Sequence, residues 1–193
     1  MSLARREVVE TLLRDRGELL VVAGLGSTSW DCTAAGDHPL TFPMWGAMGC
    51  AAMTGLGLAL AQPARRVLVI TGDGEMLMGL GSLATIGVQK PENLCVVVID
   101  NERYGETGMQ ETHTAHGVDL AAMARAAGFA SGVLLRDVAG VAALRKAIHE
   151  TPGPNFAQVK VAVQKIPLVL PPREGALLKN RFRAALLGAG AAA

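Results

Sequence analysis

Two apolar segments of this sequence each end in polar residues that could bind a metal ion. A strand-like run over 66–71 precedes Gly-Asp-Gly at 72–74, and a second run over 94–100 precedes Asn101. Twenty-six residues separate the last glycine of the motif from the asparagine, which is about the length of one βαβ crossover. At the carboxyl ends of parallel strands, the aspartate and the asparagine would face the crevice in which open α/β sheets bind ligands. A carboxylate and an amide oxygen suit a hard divalent cation that also holds phosphate oxygens, and the glycines let backbone N–H groups approach that phosphate.

The elements that must position these residues alternate between strand and helix. The apolar patterns predict strands over 18–23, 66–71, 94–100, 133–136 and 156–163, and helices over 5–16, 47–61, 79–89, 119–127, 138–150 and 174–187. This alternation predicts an α/β fold, a doubly wound parallel sheet flanked by helices.

Other segments differ in character from this alternation. Residues 36–46 are predicted to be irregular, and 102–118 to form a long polar loop. The helix over 47–61 is small and apolar on all sides, so we expect it to be central and closely packed. We predict one domain over 1–165, followed over 166–193 by a Pro-rich C-terminal extension with a short helix and a flexible end.

The composition argues against nucleic-acid and membrane partners. Eighteen basic residues nearly balance 17 acidic ones without a basic stripe, and no window approaches the ~18 apolar residues of a membrane span. Arg5, Arg6 and Glu7 replace the apolar region that a signal peptide would have. The three cysteines are widely spaced, which predicts buried free thiols in a reducing compartment and a cytoplasmic protein.

The Gly-Asp-Gly motif, the interval and the asparagine together resemble the diphosphate-binding (PP) motif of thiamine diphosphate (ThDP) enzymes. The resemblance covers about residues 5–165 and is closest to the small, β-type subunit of sulfopyruvate decarboxylase and the matching half of phosphonopyruvate decarboxylase. It implies the ThDP-binding fold, the cofactors ThDP and Mg²⁺, and a small 2-oxoacid substrate. Asp100 stands where many relatives have a first asparagine; since the second position is the ligand, we expect this difference to be harmless.

The resemblance also implies roles for individual residues. Asp73, Asn101 and the backbone carbonyl of Arg103 would bind Mg²⁺. The diphosphate would be held by backbone N–H groups of the Gly-Asp-Gly turn and by the turn after the first strand. An apolar side chain would act as a wedge that holds the cofactor in a bent form. A backbone carbonyl would accept a hydrogen bond from the 4′-amino group of the cofactor. The residues are Gly72, Gly74, Glu75 and Ser27 for the diphosphate, Met48 for the wedge and Gly46 for the carbonyl.

One residue that ThDP enzymes generally need is missing from this chain. A glutamate that binds pyrimidine N1′ lies on a separate pyrimidine (Pyr) domain in such enzymes, and 193 residues are too few for both domains. We therefore expect a Pyr-domain subunit as partner in a hetero-oligomer, together with homodimer contacts. Two alternatives are the ThDP subunit of a 2-oxoacid oxidoreductase, against which the scattered cysteines argue, and a non-catalytic ThDP-binding module.

Two further patterns have weaker functional interpretations. His113 and His116 form H-x-x-H, a spacing that is common by chance and does not by itself predict a transition metal. In the ThDP family this loop borders the substrate, so His113 is a candidate for proton transfer or for binding an anionic substrate. Gly-Leu-Gly-x-x-Ser at 24–29 is a damaged dinucleotide fingerprint without a ribose-binding acid, which argues against NAD.

Overall fold

The computed structural model describes residues 2–188 and 190, so most of the predicted flexible end lies outside the described residues. The strands are β1 (Leu20–Ala23), β2 (Thr41–Pro43), β3 (Val67–Gly72), β4 (Leu94–Asp100), β5 (Arg103–Tyr104), β6 (Gln110–Glu111), β7 (Ser131–Leu135) and β8 (Asn155–Lys160). The helices are α1 (Arg5–Leu13), α2 (Ser27–Ala34), α3 (Ala51–Ala61), α4 (Asp73–Met78), α5 (Ser82–Gln89), α6 (Leu120–Ala126), α7 (Val138–Glu150) and α8 (Gly175–Leu187).

Six strands form one parallel sheet in the order β2-β1-β3-β4-β8-β7. Alternate residues of each central strand face opposite layers of helices, as the pleat requires. Leu68 and Ile70 of β3 pack with residues of α1, α2 and α7, whereas Val67 and Val69 pack with residues of α3, α5 and α6. Because both faces are covered, the strands are continuous apolar runs. The predicted doubly wound parallel sheet flanked by helices is confirmed.

The register of the two central strands places the candidate ligands side by side. Gly72, the last residue of β3, pairs with Ile99 of β4. Asp73 therefore follows one strand at the same edge of the sheet where Asp100 and Asn101 end the next. The chain after Asn101 is not a plain loop, because β5 and β6 form a small antiparallel hairpin and a 3₁₀ turn follows at His113–His116.

Several predicted elements differ from those in the structure. The segment predicted to be irregular contains β2, and the helix predicted from residue 47 begins at Ala51 because Ala47 and Gly49 have left-handed backbone conformations, with φ of 57° and 91°. The helix predicted over 79–89 begins at Ser82, as α5, and a further helix that was not predicted, α4, begins within the Gly-Asp-Gly motif at Asp73. The motif therefore forms the start of a helix, with Gly72 just before it, whereas the sequence alone suggested only a turn.

Helix α3 is also less buried than its composition suggested. Gly55 packs against Val69, so closely that an added Cβ would overlap the valine side chain. On another face of the helix, Met53 and Leu60 are 41% and 51% exposed, and Gly57 between them is exposed as well. The prediction of a helix that is packed on all sides is wrong, because half of the helix has no covering layer in this chain.

The cysteines and the C-terminal segment complete the fold. Cys32 and Cys95 are buried, but Cys50 is exposed, which contradicts the expectation that all three thiols are buried. Helix α8 packs beside β2, where the Phe182 and Phe42 rings meet edge-on at 5.7 Å. The domain boundary at residue 165 stays a prediction. No helix in the described part of the chain is long and apolar enough to cross a membrane.

Candidate functional site

A cavity of about 110 Å³ lies at the edge of the sheet where β1, β3 and β4 end. The structure brings eight of the nine predicted cofactor-binding residues into its wall: Ser27, Met48, Gly72, Asp73, Gly74, Glu75, Asn101 and Arg103. These residues are up to 76 positions apart in the sequence; they lie at or just after the ends of β1, β3 and β4, except Met48, which comes from the turn before α3. Open α/β sheets bind ligands at such a place. The individual roles of the residues stay predictions.

Asp73 is a buried acid in the wall of this cavity. Its side chain is 2% exposed, and its Oδ2 accepts a hydrogen bond of 2.5 Å from Thr112 Oγ1. Thr114 Oγ1 lies farther away, at 3.4 Å from the same oxygen. Burial raises the pKa of Asp73 to about 6, with a smaller contribution from the charge of Asp100, while the Thr112 hydroxyl opposes the rise. Within the described residues, no lysine, arginine or histidine forms a salt bridge with Asp73.

Asn101 turns the chain at the end of β4. Its Oδ1 accepts a hydrogen bond of 3.0 Å from the backbone N–H of Arg103, which holds the asparagine side chain over the start of β5. The Arg103 guanidinium extends away to form a 3.0 Å ion pair with Glu111 of β6. The side chain of Arg103 therefore belongs to the hairpin, and its predicted contribution to a metal site is that of its backbone carbonyl.

The chemistry of these donors fits Mg²⁺ and a diphosphate. A carboxylate, an amide oxygen and a carbonyl are hard oxygen ligands, which Mg²⁺ supplements with water and phosphate oxygens. A buried carboxylate without a cationic partner is costly, and a bound divalent cation would remove that cost. Gly74 also has a local reason to be glycine, since an added Cβ would come within 2.5 Å of the Tyr104 ring.

Glu75 has a structural role that the sequence did not reveal. Its side chain is 5% exposed, and its Oε2 accepts a 2.8 Å hydrogen bond from Thr71 Oγ1. An added Cβ at Gly24 would overlap the same carboxylate oxygen, so Gly24 is needed for the turn after β1 to pack on Glu75. Burial raises the pKa of Glu75. The glutamate thus joins two walls of the cavity through its side chain, in addition to the backbone N–H predicted to bind the diphosphate.

Met48 and Gly46 lie in the turn before α3. Met48 is 37% exposed and lines the cavity, whereas Gly46 is exposed and lies outside the cavity wall. Met48 also lines a second, more open groove of about 570 Å³. A side chain shared by two adjoining spaces is suited to separate two parts of one ligand, as the wedge prediction requires.

His113 lines that second groove, and not the cavity of Asp73. The groove is mostly apolar, with walls from Leu77, Met78 and Met123. The other histidine of the H-x-x-H pattern, His116, points to Glu111, whose Oε2 lies 3.1 Å from its Nε2. Over the residues that the structure describes, no three His, Cys, Asp or Glu side chains form a group that could hold a metal ion.

Sequence reasoning missed several residues that surround the site. Thr112 and Thr114 lie behind Asp73, and Arg5 of α1 lines the cavity. The two threonines alternate along the chain next to the candidate His113, which was an available signal. No pattern marks Arg5, which reaches the cavity only because α1 packs against α2.

Comparison with known proteins agrees with this geometry. The family described as "Thiamine pyrophosphate enzyme, C-terminal TPP binding domain" matches residues 26–159. The chain is 44% identical over 129 residues to the sulfopyruvate decarboxylase subunit beta of Methanothermobacter thermautotrophicus, covering 67% of this chain and 69% of that subunit. It is 44% identical over 132 residues to the phosphonopyruvate decarboxylase of Streptomyces viridochromogenes, covering 66% of this chain and 33% of that enzyme. The resemblance that the motifs suggested is confirmed.

A solved structure has the same fold. The benzoylformate decarboxylase of Polynucleobacter necessarius superposes with a TM-score of 0.69 at 20% identity, over 84% of this chain and 34% of that one. The chain thus spans about a third of this enzyme and of the phosphonopyruvate decarboxylase. The predictions of the ThDP-binding fold and of a ThDP-dependent enzyme are confirmed. The chain belongs to the thiamine pyrophosphate enzyme family, of which it contains the C-terminal TPP-binding domain.

Proposed function

We propose that this chain is the ThDP- and Mg²⁺-binding subunit of a 2-oxoacid decarboxylase, with a substrate of the sulfopyruvate or phosphonopyruvate type. The observation that carries the proposal is Asp73, a buried carboxylate without a cationic side chain, next to Asn101 in a cavity at the ends of β3 and β4. The names of the similar proteins support decarboxylation as the reaction. They favour it over a 2-oxoacid oxidoreductase and over a module without catalytic activity.

The residues of the chain divide the work between the two ends of the cofactor. Asp73, Asn101 and the carbonyl of Arg103 would hold Mg²⁺, while backbone N–H groups of the Gly-Asp-Gly turn and Ser27 would orient the diphosphate. ThDP, when bound, supplies the group that accepts the electron pair left by the departing CO₂. Met48 would keep the two rings of the cofactor apart, and the Gly46 carbonyl would accept a hydrogen bond from the 4′-amino group.

The second groove is the proposed position of the substrate. Its apolar walls would exclude water, and His113, exposed at its edge, would bind the anionic substrate or deliver a proton to the product. The walls from Leu77, Met78 and Met123 leave one side open. Such an open apolar groove is consistent with a site that a second chain completes.

We propose that a Pyr-domain subunit is this second chain and that it supplies the N1′ glutamate. The exposed apolar face of α3, formed by Met53, Gly57 and Leu60, supports contacts with other chains, both a partner and a second copy of this one. Two copies of each chain would make the smallest assembly with two complete sites. The three free thiols are typical of a reducing compartment, which supports a cytoplasmic location.

The test is reconstitution of activity from separate chains. We expect the purified chain to release negligible CO₂ from sulfopyruvate or phosphonopyruvate with ThDP and Mg²⁺, and a co-purifying Pyr-domain chain to restore turnover. The matched control is the same mixture with Asp73→Ala, which should stay inactive. Rapid turnover by the chain alone would contradict the need for a partner. An absolute requirement for an electron acceptor would favour the oxidoreductase alternative.

A further inference from the structure

Arg5, the first residue of α1, is a buried arginine, and two of its side-chain nitrogens have no hydrogen-bond partner among the described residues. Its side chain is 5% exposed, and its Nη1 lies 3.1 Å from Asp31 Oδ2 in an ion pair. Among the residues that the structure describes, neither Nε nor Nη1 of Arg5 has a partner with hydrogen-bond geometry. Burying such donors without acceptors is unfavourable, and a native protein retains them where something else binds them.

Arg5 shares the Asp31 carboxylate with a second arginine. Arg6 also binds this carboxylate, with its Nε donating to Asp31 Oδ1 at 3.1 Å. The two arginines differ in their other contacts, because Nη2 of Arg6 donates to the Pro167 carbonyl at 2.8 Å. The Arg6 guanidinium therefore has two acceptors within the protein, whereas the Arg5 guanidinium has an ion pair with one oxygen of Asp31.

The guanidinium group of Arg5 belongs to the wall of the candidate cofactor cavity. Arg5 lines it together with Gly26, Ser27 and Thr28 at the start of α2, and with Asp73 on β3's side. The first N–H groups of a helix have no intrahelical acceptors, and together with the helix dipole they favour an anion. An unsatisfied guanidinium beside them indicates a site for an oxyanion.

A carboxylate already lies beside this helix start. An added Cβ at Gly26 would be 2.9 Å from Oε1 of Glu106, so the side chain of Glu106 lies against the turn that begins α2. Burial lowers the pKa of Arg5, while the charges of Asp31 and Glu106 raise it. Glu106 itself is exposed on the segment between β5 and β6. Leaving this position would therefore cost the carboxylate little.

We propose that Arg5 binds a phosphate oxygen of the diphosphate at the start of α2, in the place of the Glu106 carboxylate. This inference rests on the proposed function, because it assigns one more binding residue to the same diphosphate. Arg5 and Asp73 then have complementary roles. The guanidinium neutralises phosphate oxygens directly, whereas the aspartate holds the Mg²⁺ ion that neutralises them. Guanidinium groups suit phosphate because their N–H donors match the spacing of its oxygens.

The experiment measures the binding of inorganic pyrophosphate with Mg²⁺ to the full chain by calorimetric titration, a readout independent of turnover. We expect Arg5→Gln to weaken binding by about ten- to a hundredfold, the loss of one charge-assisted hydrogen-bonding group. Arg5→Lys should retain part of the affinity. Arg6→Gln is the matched control, because it removes the other guanidinium from Asp31 and should change affinity by less than about threefold. Glu106→Gln should bind pyrophosphate at least as tightly as the wild type.

Each result separates this inference from the proposed function. If the wild type binds pyrophosphate and Arg5→Gln binds it with the same affinity, the role of Arg5 is overturned and the diphosphate site stays intact. Equal losses in Arg5→Gln and Arg6→Gln would overturn it as well, since the effect would then come from Asp31. No pyrophosphate binding by the wild type would remove the diphosphate site and Arg5 with it. If Arg5→Gln does not give a cooperative thermal transition, Arg5→Lys decides, and wild-type affinity in that variant overturns the inference.

Discussion

Two buried aspartates follow neighbouring strands, and the chain surrounds them in different ways. Asp100, at the end of β4, is 0% exposed and Asp73, just after β3, is 2% exposed. Lys160 lies 2.8 Å from Asp100 Oδ2, which also accepts a 2.6 Å hydrogen bond from Gln158. In the part of the chain that the structure describes, Asp73 has only hydroxyl groups as side-chain donors and no cationic side chain as a partner. The protein itself neutralises one carboxylate, whereas the other has no cationic partner among the described residues and is the one that we propose as a Mg²⁺ ligand.

The ion pair of Asp100 gives a physical reason to expect that its departure from the two-asparagine pattern is harmless. The other oxygen of Asp100 accepts from the Glu102 backbone N–H at 3.0 Å and from Thr114 at 2.8 Å. Burial alone would lower the pKa of Lys160, but its bonds to Asp100 and Glu102 outweigh that effect and raise the pKa. The lysine therefore stays charged. Asp100 is a structural ion-pair residue, in contrast to the proposed ligand Asp73.

The largest expected effect is the loss of ligand binding at Asp73. Asp73→Ala should weaken Mg²⁺-dependent ThDP binding by at least about a hundredfold, because it removes the only charged ligand, and Asn101→Ala should weaken it less. Calorimetric titration with ThDP and Mg²⁺ measures both, in the partner complex if the chain alone binds weakly. Circular dichroism should show both variants folded. If Asp73→Ala bound ThDP and Mg²⁺ as tightly as the wild type, Asp73 would not be a metal ligand and would not differ in function from Asp100.

The second prediction concerns the cation beside Asp100. Lys160→Met should lower the free energy of unfolding by about 3 kcal/mol, because it leaves a fully buried carboxylate without its cation. Asp100→Asn combined with Lys160→Met should regain a substantial part of that loss, since neither charge then remains buried alone. Urea unfolding of the wild type, of Lys160→Met, of Asp100→Asn and of the double variant measures the four free energies that the comparison needs. A double variant less stable than the sum of the single changes would contradict this account of the pair.

At Asp73, in contrast, we expect that removing the charge raises the stability of the metal-free protein. Burial raises the pKa of Asp73 to about 6, so at neutral pH the carboxyl is still mostly ionised, and its charge lowers the stability of the metal-free folded protein. Asp73→Asn removes that charge while its amide oxygen can still accept from Thr112. We expect the metal-free variant to be about 1–3 kcal/mol more stable than the wild type in urea unfolding with a chelator present. Reduced stability would show that the protein compensates the carboxylate by itself.

The candidate ligands could be predicted from the sequence because they are local patterns. Apolar runs that end in Gly-Asp-Gly and in Asp-Asn identify strands and their polar ends without knowledge of the sheet. The fold and the family followed from the same patterns and were confirmed. The binding roles of Ser27, Gly46 and Met48 depend on the cofactor and stay predictions.

The environment of these ligands could not be predicted, because distant parts of the chain provide it. Thr112 and Asp73 are 39 positions apart, and two partners of Asp100, Gln158 and Lys160 of β8, lie 58 and 60 positions from it. The charges of Asp100 and Lys160 are unremarkable in the sequence until the register of β4 and β8 makes them neighbours. Helix α4 was missed for a local reason, since the glycines of its first turn lower helix propensity.

The smallest expected effect tests whether the two aspartates influence each other. Thr114 Oγ1 lies between them, 2.8 Å from Asp100 and 3.4 Å from Asp73. Thr114→Val should cost about 1 kcal/mol of stability, because Asp100 keeps its lysine and two other donors. The affinity for Mg²⁺ and ThDP should change by less than about threefold, since Thr112 still binds Asp73. Thr54→Val is the matched control, as its hydroxyl bonds the Cys50 carbonyl at an exposed position of α3. If Thr114→Val were as destabilising as Lys160→Met, the hydroxyl would contribute as much as the lysine to what makes Asp100 different from Asp73.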